Sequence, residues 1–141
     1  MRKMMKRITA LIATIIFSTV LATAGYAAEP ADLQLLANVN AVRQEHGLPV
    51  LEIDERLDAD AVIRAKEVAA LYSHTRPDGT EWYTVDLEKA YGENISNRID
   101  YANIVDTWSN DEIHYGNIMN ARFTHVGVAH VGDRWVMLFG Y

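Results

Sequence analysis

The residues of this 141-residue chain that are best suited to chemistry lie in three short polar segments. His74 stands just before a Pro-Asp-Gly turn, and Glu93 stands between a glycine and an asparagine. Asp111, Glu112 and His114 are crowded into a third stretch. Acidic and imidazole side chains are costly to bury unless they are paired, so a core helix would not use them in this way. We therefore expect the fold to bring the three segments together.

Two imidazoles and a carboxylate that converge on one cleft match a site for a divalent cation, most simply zinc, with water completing the coordination. His74 and His114 would be the first ligands, and Glu93 would be a further ligand or an orienting partner. The spacing gives no independent support, because the three side chains come from separate segments and the chain has no HExxH-like pair.

The same side chains permit two other uses. A histidine tuned by an adjacent carboxylate can act as a general acid or base, which would make the protein a hydrolase acting on peptide or cell-envelope material. A nucleophile is not evident, because Ser73 and Thr75 flank His74 only in sequence. A hydrogen-bonded polar network that merely stiffens the fold is the third possibility. The three segments together favour a binding cleft over catalysis.

Two amphipathic helices are predicted in the first half of the chain. Residues 33–46 carry apolar side chains at helical spacing, with Asp32 as the N-cap and Gly47 in the position of a C-terminal glycine. A second helix over residues 54–72 has an alanine-rich apolar stripe and directs Arg64 outward. The alanines indicate close packing against a neighbouring element.

The second half of the chain predicts short helices and strands. They are a short helix at 81–89, a loop leading into a strand at 92–96, a helix at 101–108, and strands at 125–131 and 134–141. The two strands flank Gly132-Asp133, and glycine in the first position of a two-residue loop is typical of a type II′ hairpin. Helices followed by a hairpin indicate an α+β domain in which helices pack on a small antiparallel sheet.

The first 27 residues have the pattern of an export signal. A basic start at residues 2–7 is followed by an apolar run at 8–21, and small residues precede Ala28, which predicts cleavage after Ala27. Residues 28–141 would then be a single secreted domain. The alternative is an uncleaved membrane anchor, since the apolar stretch can be extended to Ala28, about the length that spans a bilayer.

Charge and cysteine content exclude several classes of function. Residues 28–141 keep 9 basic and 19 acidic side chains, a formal charge of −10, which disfavours nucleic acid and anionic membranes as partners. The chain has no cysteine, so disulfides, thiol chemistry and cysteine-ligated zinc are excluded. We expect a monomer that folds on its hydrophobic core, without a bridge or a metal.

Short motifs are spread over most of the chain. They are Leu36-Ala37-Asn38-Val39-Asn40 with Arg43, Gly47-Leu48-Pro49, Ser73-His74-Thr75 with Pro77-Asp78-Gly79, Gly92-Glu93-Asn94-Ile95, Trp108 with His114 and Asn117-Ile118, Phe123-Thr124 with Gly127-Val128, and Trp135-Val136 with Phe139-Gly140. In this order and spacing they resemble the CAP superfamily (cysteine-rich secretory proteins, antigen 5 and pathogenesis-related proteins) in its compact bacterial, cysteine-free form.

The resemblance implies a three-layer α-β-α sandwich with a cavity lined by two histidines and two acids. By motif position these are His74, Glu93 and His114, with the second acid three residues after the tryptophan. Asp111 occupies that place, where animal-type relatives have glutamate and many bacterial ones have serine, and Glu112 is the alternative. The resemblance does not choose the ligand, which could be a cation, a small molecule, a lipid-like molecule or a peptide.

Overall fold

The computed structural model describes residues 28–141, so the predicted export signal lies outside the described residues. The helices and strands are α1 (Pro30–Glu45), β1 (Glu52–Ile53), α2 (Glu55–Ala70), β2 (Gly92–Ser96), α3 (Ile104–Ser109), α4 (Glu112–Ile118), β3 (His125–Val131) and β4 (Arg134–Gly140). Two 3₁₀ turns, Trp82–Val85 and Tyr101–Asn103, complete the set. Within the described part of the chain, no helix is both long enough and apolar enough to cross a bilayer.

The four strands form one sheet in the order β1-β3-β4-β2. The predicted hairpin is confirmed, since β3 and β4 pair antiparallel from His125 opposite Gly140 to Val131 opposite Arg134. Strand β2 adds antiparallel to the other side of β4. Strand β1 pairs parallel to β3 over two residues and was not predicted, because so short a strand carries no alternating pattern.

Two glycines take the backbone conformations that the sequence predicts for them. Gly132 has φ +60°, whereas no described non-glycine residue has a positive φ, so the Gly132-Asp133 loop fits a type II′ turn. Gly47 has φ +73° and follows α1, and the amide of Leu48 donates to the carbonyl oxygen of Arg43 at 2.9 Å. That bond is the one that closes a glycine-terminated helix.

Both faces of the sheet are buried, which makes the domain the three-layer α-β-α sandwich that we predicted. Side chains of β4 alternate between two cores: Trp135, Met137 and Phe139 face one, and Val136 and Leu138 face the other. The first core is completed by α1, α3 and α4, and the second by α2. Because every β4 side chain from 135 to 139 is buried, the strand reads as a continuous apolar run.

The helix α2 lies very close to β3 at one glycine. A Cβ atom added to Gly127 would stand 2.0 Å from the carbonyl oxygen of Leu57, a distance that atoms cannot adopt. Glycine therefore sets how closely α2 approaches the sheet. The alanines predicted to face a neighbour, Ala61 and Ala65, are fully buried in the same interface.

The start of α1 differs from the prediction. Glu29 is the N-cap and Pro30 occupies the first turn, so the helix begins before residue 33. Asp32, predicted as the N-cap, is instead the third helical residue and accepts a hydrogen bond from the Glu29 amide at 3.0 Å. The two residues form a reciprocal capping box, in which either acid is a plausible cap from sequence alone.

Two short helical segments also differ from the prediction. Residues 81–89 form only the 3₁₀ turn, because the Asp86 carboxylate accepts the amides of Glu88 and Lys89 and gives the backbone an alternative to a helix. Conversely, residues 112–118 form the helix α4, which the sequence does not predict. Only Ile118 of that helix is buried, so it has no apolar stripe to recognise.

Candidate functional site

Secondary-structure boundaries place the predicted site residues around one cleft. His74 lies in the loop after α2, Glu93 is the second residue of β2, and His114 lies in the first turn of α4, which Asp111 caps. The cleft has a volume of about 440 Å³ and is lined by His74, Trp82, Tyr91, Gly92, Glu93, Asp111, Ile113, His114 and Asn117. The structure thus brings together His74, Glu93, Asp111 and His114, and leaves Glu112 outside.

The two imidazoles form the centre of the cleft. The rings of His74 and His114 are tilted by 37° with their centroids 6.0 Å apart. Each ring turns its Nδ1 toward a carboxylate: His74 to Glu93 at 2.8 Å and His114 to Asp111 at 3.2 Å. The hydrogen bond between Nδ1 and Glu93 fixes the ring of His74, and the approach of a carboxylate to each Nδ1 favours the tautomer with its proton on that nitrogen. The Nε2 atoms are then the acceptor nitrogens of both rings.

A buried arginine holds Glu93 in place. Arg64 donates to both carboxylate oxygens of Glu93, at 2.7 and 3.1 Å, and also to the carbonyl oxygen of Ser73 at 3.0 Å. This guanidinium therefore fixes both the carboxylate and the loop that carries His74. The prediction that Arg64 faces outward is wrong, because its side chain is fully buried.

The reason for that error lies in helix geometry. Arg64 follows Ala61 by three residues and precedes Val68 by four, so it shares the buried face of α2. A basic residue at that spacing inside an apolar stripe is a signal that a buried acid must face it. Sequence alone does not say which acid, because Glu93 lies 29 residues away.

The surroundings of the second imidazole favour its neutral form. Burial lowers the pKa of His114, and the positive charge that His74 can carry lowers it further, while Asp111 acts in the opposite sense. Hydrogen bonds from the backbone amides of His114 and Ile113, together with the nearby imidazoles, hold the pKa of Asp111 below its usual range. A neutral imidazole beside an ionised carboxylate has its Nε2 lone pair available for a ligand.

Two asparagines fix α4 against the sheet edge. Asn94 is fully buried and donates to the carbonyl oxygen of His114 at 3.0 Å. Asn117 donates to the side-chain oxygen of Asn94 at 2.9 Å and to the carbonyl oxygen of Glu93 at 3.3 Å. These bonds lock the backbone that carries His114 onto the strand that carries Glu93, so the cleft is rigid at its base.

The donor set is poor for a resident zinc ion. Zinc sites in proteins use three or four side-chain ligands. Across residues 28–141, no cluster of three or more histidine, aspartate or glutamate side chains is arranged to hold a metal ion. Both oxygens of Glu93 are bound to Arg64, and Asp111 is engaged in capping α4. A divalent cation held by His74 and His114 with water stays a prediction.

Comparison with known sequences identifies relatives in Bacillus subtilis. The uncharacterized protein YkwD of Bacillus subtilis (strain 168) is 34% identical over 112 residues, covering 71% of this chain and 43% of the relative. The uncharacterized membrane protein YlbC of the same strain is 33% identical over 104 residues, covering 67% of this chain and 30% of the relative. The chain therefore spans less than half the length of either relative.

Solved structures share the fold. An extracellular protein containing an SCP domain from Bacillus anthracis str. Ames superposes with a TM-score of 0.69 at 26% identity, over 78% of this chain and 40% of the other. A cysteine-rich secretory protein from Staphylococcus aureus gives 0.65 at 19% identity, over 78% and 38%. An outer surface protein of Borrelia burgdorferi gives 0.67 at 22% identity, over 79% and 92%. The last two show similarity of fold alone.

The family assignment rests on the sequence itself. The profile of the family described as "CAP: Cysteine-rich secretory protein family" matches residues 36–139, which include all four predicted site residues. That range covers the sheet, α2, α3, α4 and most of α1. The chain belongs to the cysteine-rich secretory protein (CAP) family.

Proposed function

We propose that the protein is an extracellular binding module whose cleft holds a small ligand between His74 and His114. The observation that carries the proposal is the imidazole pair, 6.0 Å apart, with each Nδ1 turned toward a carboxylate. The export pattern of the first 27 residues supports an extracellular location. So does one similar structure, which is described as an extracellular protein.

The site is organised before a ligand arrives. Arg64 and Glu93 fix His74, and the cap and the asparagine pair fix His114, so binding need not order these side chains. Preorganisation of this kind increases affinity because the ordering cost has been met during folding. A cleft with a few placed polar atoms and apolar walls has the make-up of a small-molecule site.

Divalent cations fit this cleft as exchangeable partners. Two imidazole nitrogens and water can hold zinc, but a two-ligand site binds more weakly than the three- and four-ligand sites of zinc proteins. We expect zinc to bind reversibly and the fold to persist after a chelator removes it. The fold should persist without zinc because its two apolar cores, and not a metal, stabilise it.

Zinc titration of the secreted protein tests the proposal. We expect saturable binding that is weakened at least about tenfold by His74→Ala and by His114→Ala. His46→Ala is the matched control, since His46 is exposed and bonded to its own helix at the Val42 carbonyl oxygen. Zinc binding that survives both cleft variants, or its absence from the parent protein, would overturn the two-imidazole site.

Hydrolysis is a second candidate, favoured by one observation. His74 with Glu93 at 2.8 Å, itself held by Arg64, is the arrangement of a base and its orienting carboxylate. The described residues that line the cleft include no serine or threonine, so water would be the nucleophile. Turnover of a peptide or cell-envelope substrate that disappears in His74→Ala favours the hydrolase, whereas binding without turnover favours the module.

A further inference from the structure

A second cavity with aromatic walls lies beside the histidine cleft. This cavity has a volume of about 340 Å³ and is lined by Trp82, Tyr83, Leu87, Ala90 and Tyr91. Trp82 and Tyr91 also line the histidine cleft, so the two cavities adjoin and share these side chains as a common wall. We call the second cavity the aromatic groove.

The rings of the aromatic groove are held in fixed positions although they face solvent. Tyr91 is 45% exposed, yet its ring stacks on Tyr141 with centroids 4.4 Å apart and planes 18° from parallel. Its amide donates to the carbonyl oxygen of Phe139 at 2.9 Å. Trp82 packs on the α2 core and meets Tyr83 edge-to-face at 5.6 Å. Flat, rigid and partly exposed rings are platforms for a ligand with a flat apolar face.

The histidine cleft is the polar end of this pair of cavities, and a ligand that reaches it must have hydrogen-bonding groups as well as a flat face. Beyond the shared wall, the two imidazoles, Asp111 and Asn117 line the cleft. Hydrogen-bonding groups therefore stand beside stacking surfaces. Pyranose rings match this pattern, because one face of the ring presents C–H groups while hydroxyls project from its edge.

A peptide that adds as an extra strand does not fit the same place. The edge strand β2 borders the cleft, but α4 covers it, and Asn117 already donates to the carbonyl oxygen of Glu93. Strand addition needs free backbone groups along such an edge. All five residues of β2 are buried.

A lipid chain is also a poor match. Apolar ligands are held by cavities that bury most of their surface. In the aromatic groove, Leu87 is 71% exposed and Tyr83 is 44% exposed, so the groove is a shallow surface feature. The formal charge of −10 on residues 28–141 further disfavours anionic glycans and anionic lipids.

We propose that the aromatic groove and the histidine cleft together bind an uncharged oligosaccharide. One pyranose ring stacks on Trp82 and Tyr91, and the next reaches the polar end, where its hydroxyls bond to the imidazoles and Asp111. The inference rests on the proposed function, because it names the ligand class of that cleft. It adds Trp82 and Tyr91 as the residues that select for a sugar ring.

Titration of the secreted, isotope-labelled protein with uncharged tetrasaccharides tests the inference. The probes are the β-1,4-linked oligomers of glucose, N-acetylglucosamine and mannose. We expect at least one to bind with a dissociation constant of about 1 mM or tighter, and to shift amide signals on both sides of the shared wall. Failure of all three to bind in that range overturns the inference.

Substitutions locate the binding surface. Tyr91→Leu keeps apolar volume but removes the flat ring, and we expect about tenfold weaker binding from it and from Trp82→Ala. Tyr72→Ala is the control, because Tyr72 is also 45% exposed and lines neither cavity. Equal affinity of Tyr91→Leu and Tyr72→Ala, with both proteins folded, places the sugar elsewhere and overturns the inference.

The zinc response separates this inference from the proposed function. A protein that binds zinc through His74 and His114 but binds none of the oligosaccharides refutes the sugar inference alone. A protein that binds a sugar at Tyr91 but shows no zinc response from either histidine supports the sugar inference and refutes the two-imidazole cation site.

Discussion

Arg64 contacts both carboxylate oxygens of Glu93, at 2.7 and 3.1 Å, and both side chains are fully buried. The carboxylate in turn meets Nδ1 of His74 at 2.8 Å. Arg64, Glu93 and His74 therefore form a chain of hydrogen bonds from α2 through β2 to the cleft. The orientation of the first imidazole is determined by a charge pair in the interior of the domain.

Replacing one member of the Arg64–Glu93 pair should destabilise the protein more than replacing both members. We expect Arg64→Met to lower the free energy of unfolding by about 3–5 kcal/mol, because it leaves the buried Glu93 side chain without its guanidinium partner and with only His74 to bond it. The double substitution Arg64→Met with Glu93→Leu should recover much of that loss. Urea denaturation of the parent, the two single variants and the double variant measures the coupling, and strictly additive losses would contradict it.

Two glycines, one against α2 and one in open space, should respond oppositely to an added methyl group. Gly127→Ala places a methyl group 2.0 Å from the Leu57 carbonyl oxygen, so α2 must move, at a cost of about 1–3 kcal/mol or more. Gly116 lies within α4 with open space around its Cα, and Gly116→Ala should stabilise by about 0.5–1 kcal/mol. Thermal melts compare the two, and equal melting temperatures would refute the packing argument.

A carboxyl pair away from the cleft makes stability depend on pH. Burial, followed by the charge of Asp86, raises the pKa of Asp60 to about 6, and its Oδ2 has no hydrogen-bonding partner. The folded protein thus holds a proton that the unfolded chain releases at its ordinary pKa of 3.8. This contribution to stability is fully present below that lower pKa and is lost as the pH rises through about 6.

Replacing the acid should remove this dependence. We expect Asp60→Asn to stabilise the protein at neutral pH by about 1–2 kcal/mol, because no charge is then buried, with the gain vanishing in acid. Denaturant melts between acid and neutral pH provide the measurement. Asp106→Asn, at an exposed site, is the control and should leave the pH profile unchanged. A profile for Asp60→Asn that matches the parent protein would contradict this account.

Features set by local chemistry were predicted well from the sequence. The hairpin depends on a glycine at one turn position, and the end of α1 depends on another, so neighbouring residues suffice to specify them. The convergence of His74, Glu93 and His114 was also predicted, from the cost of burying such side chains unpaired and from motif order. The ligand-binding role of these residues stays a prediction.

Features set by distant partners were not predicted. The burial of Arg64 depends on a glutamate 29 residues away, and no local pattern reveals that partner. Helix α4 is specified by its Asp111 cap and by the burial of Ile118 rather than by a repeating apolar stripe. Tyr91 of the aromatic groove stacks on Tyr141, and the two rings come together because β2 pairs with β4.

Two carboxylates, Glu93 and Asp111, orient the two imidazoles of the cleft as one unit. Imidazole ¹⁵N chemical shifts of His74 and His114, recorded at mildly alkaline pH before and after zinc is added, test it most directly. We expect a proton on Nδ1 and none on Nε2 in both rings, and a joint zinc-induced change at both Nε2 atoms. A proton on Nε2 of either ring, or a response to zinc from one histidine alone, would contradict it.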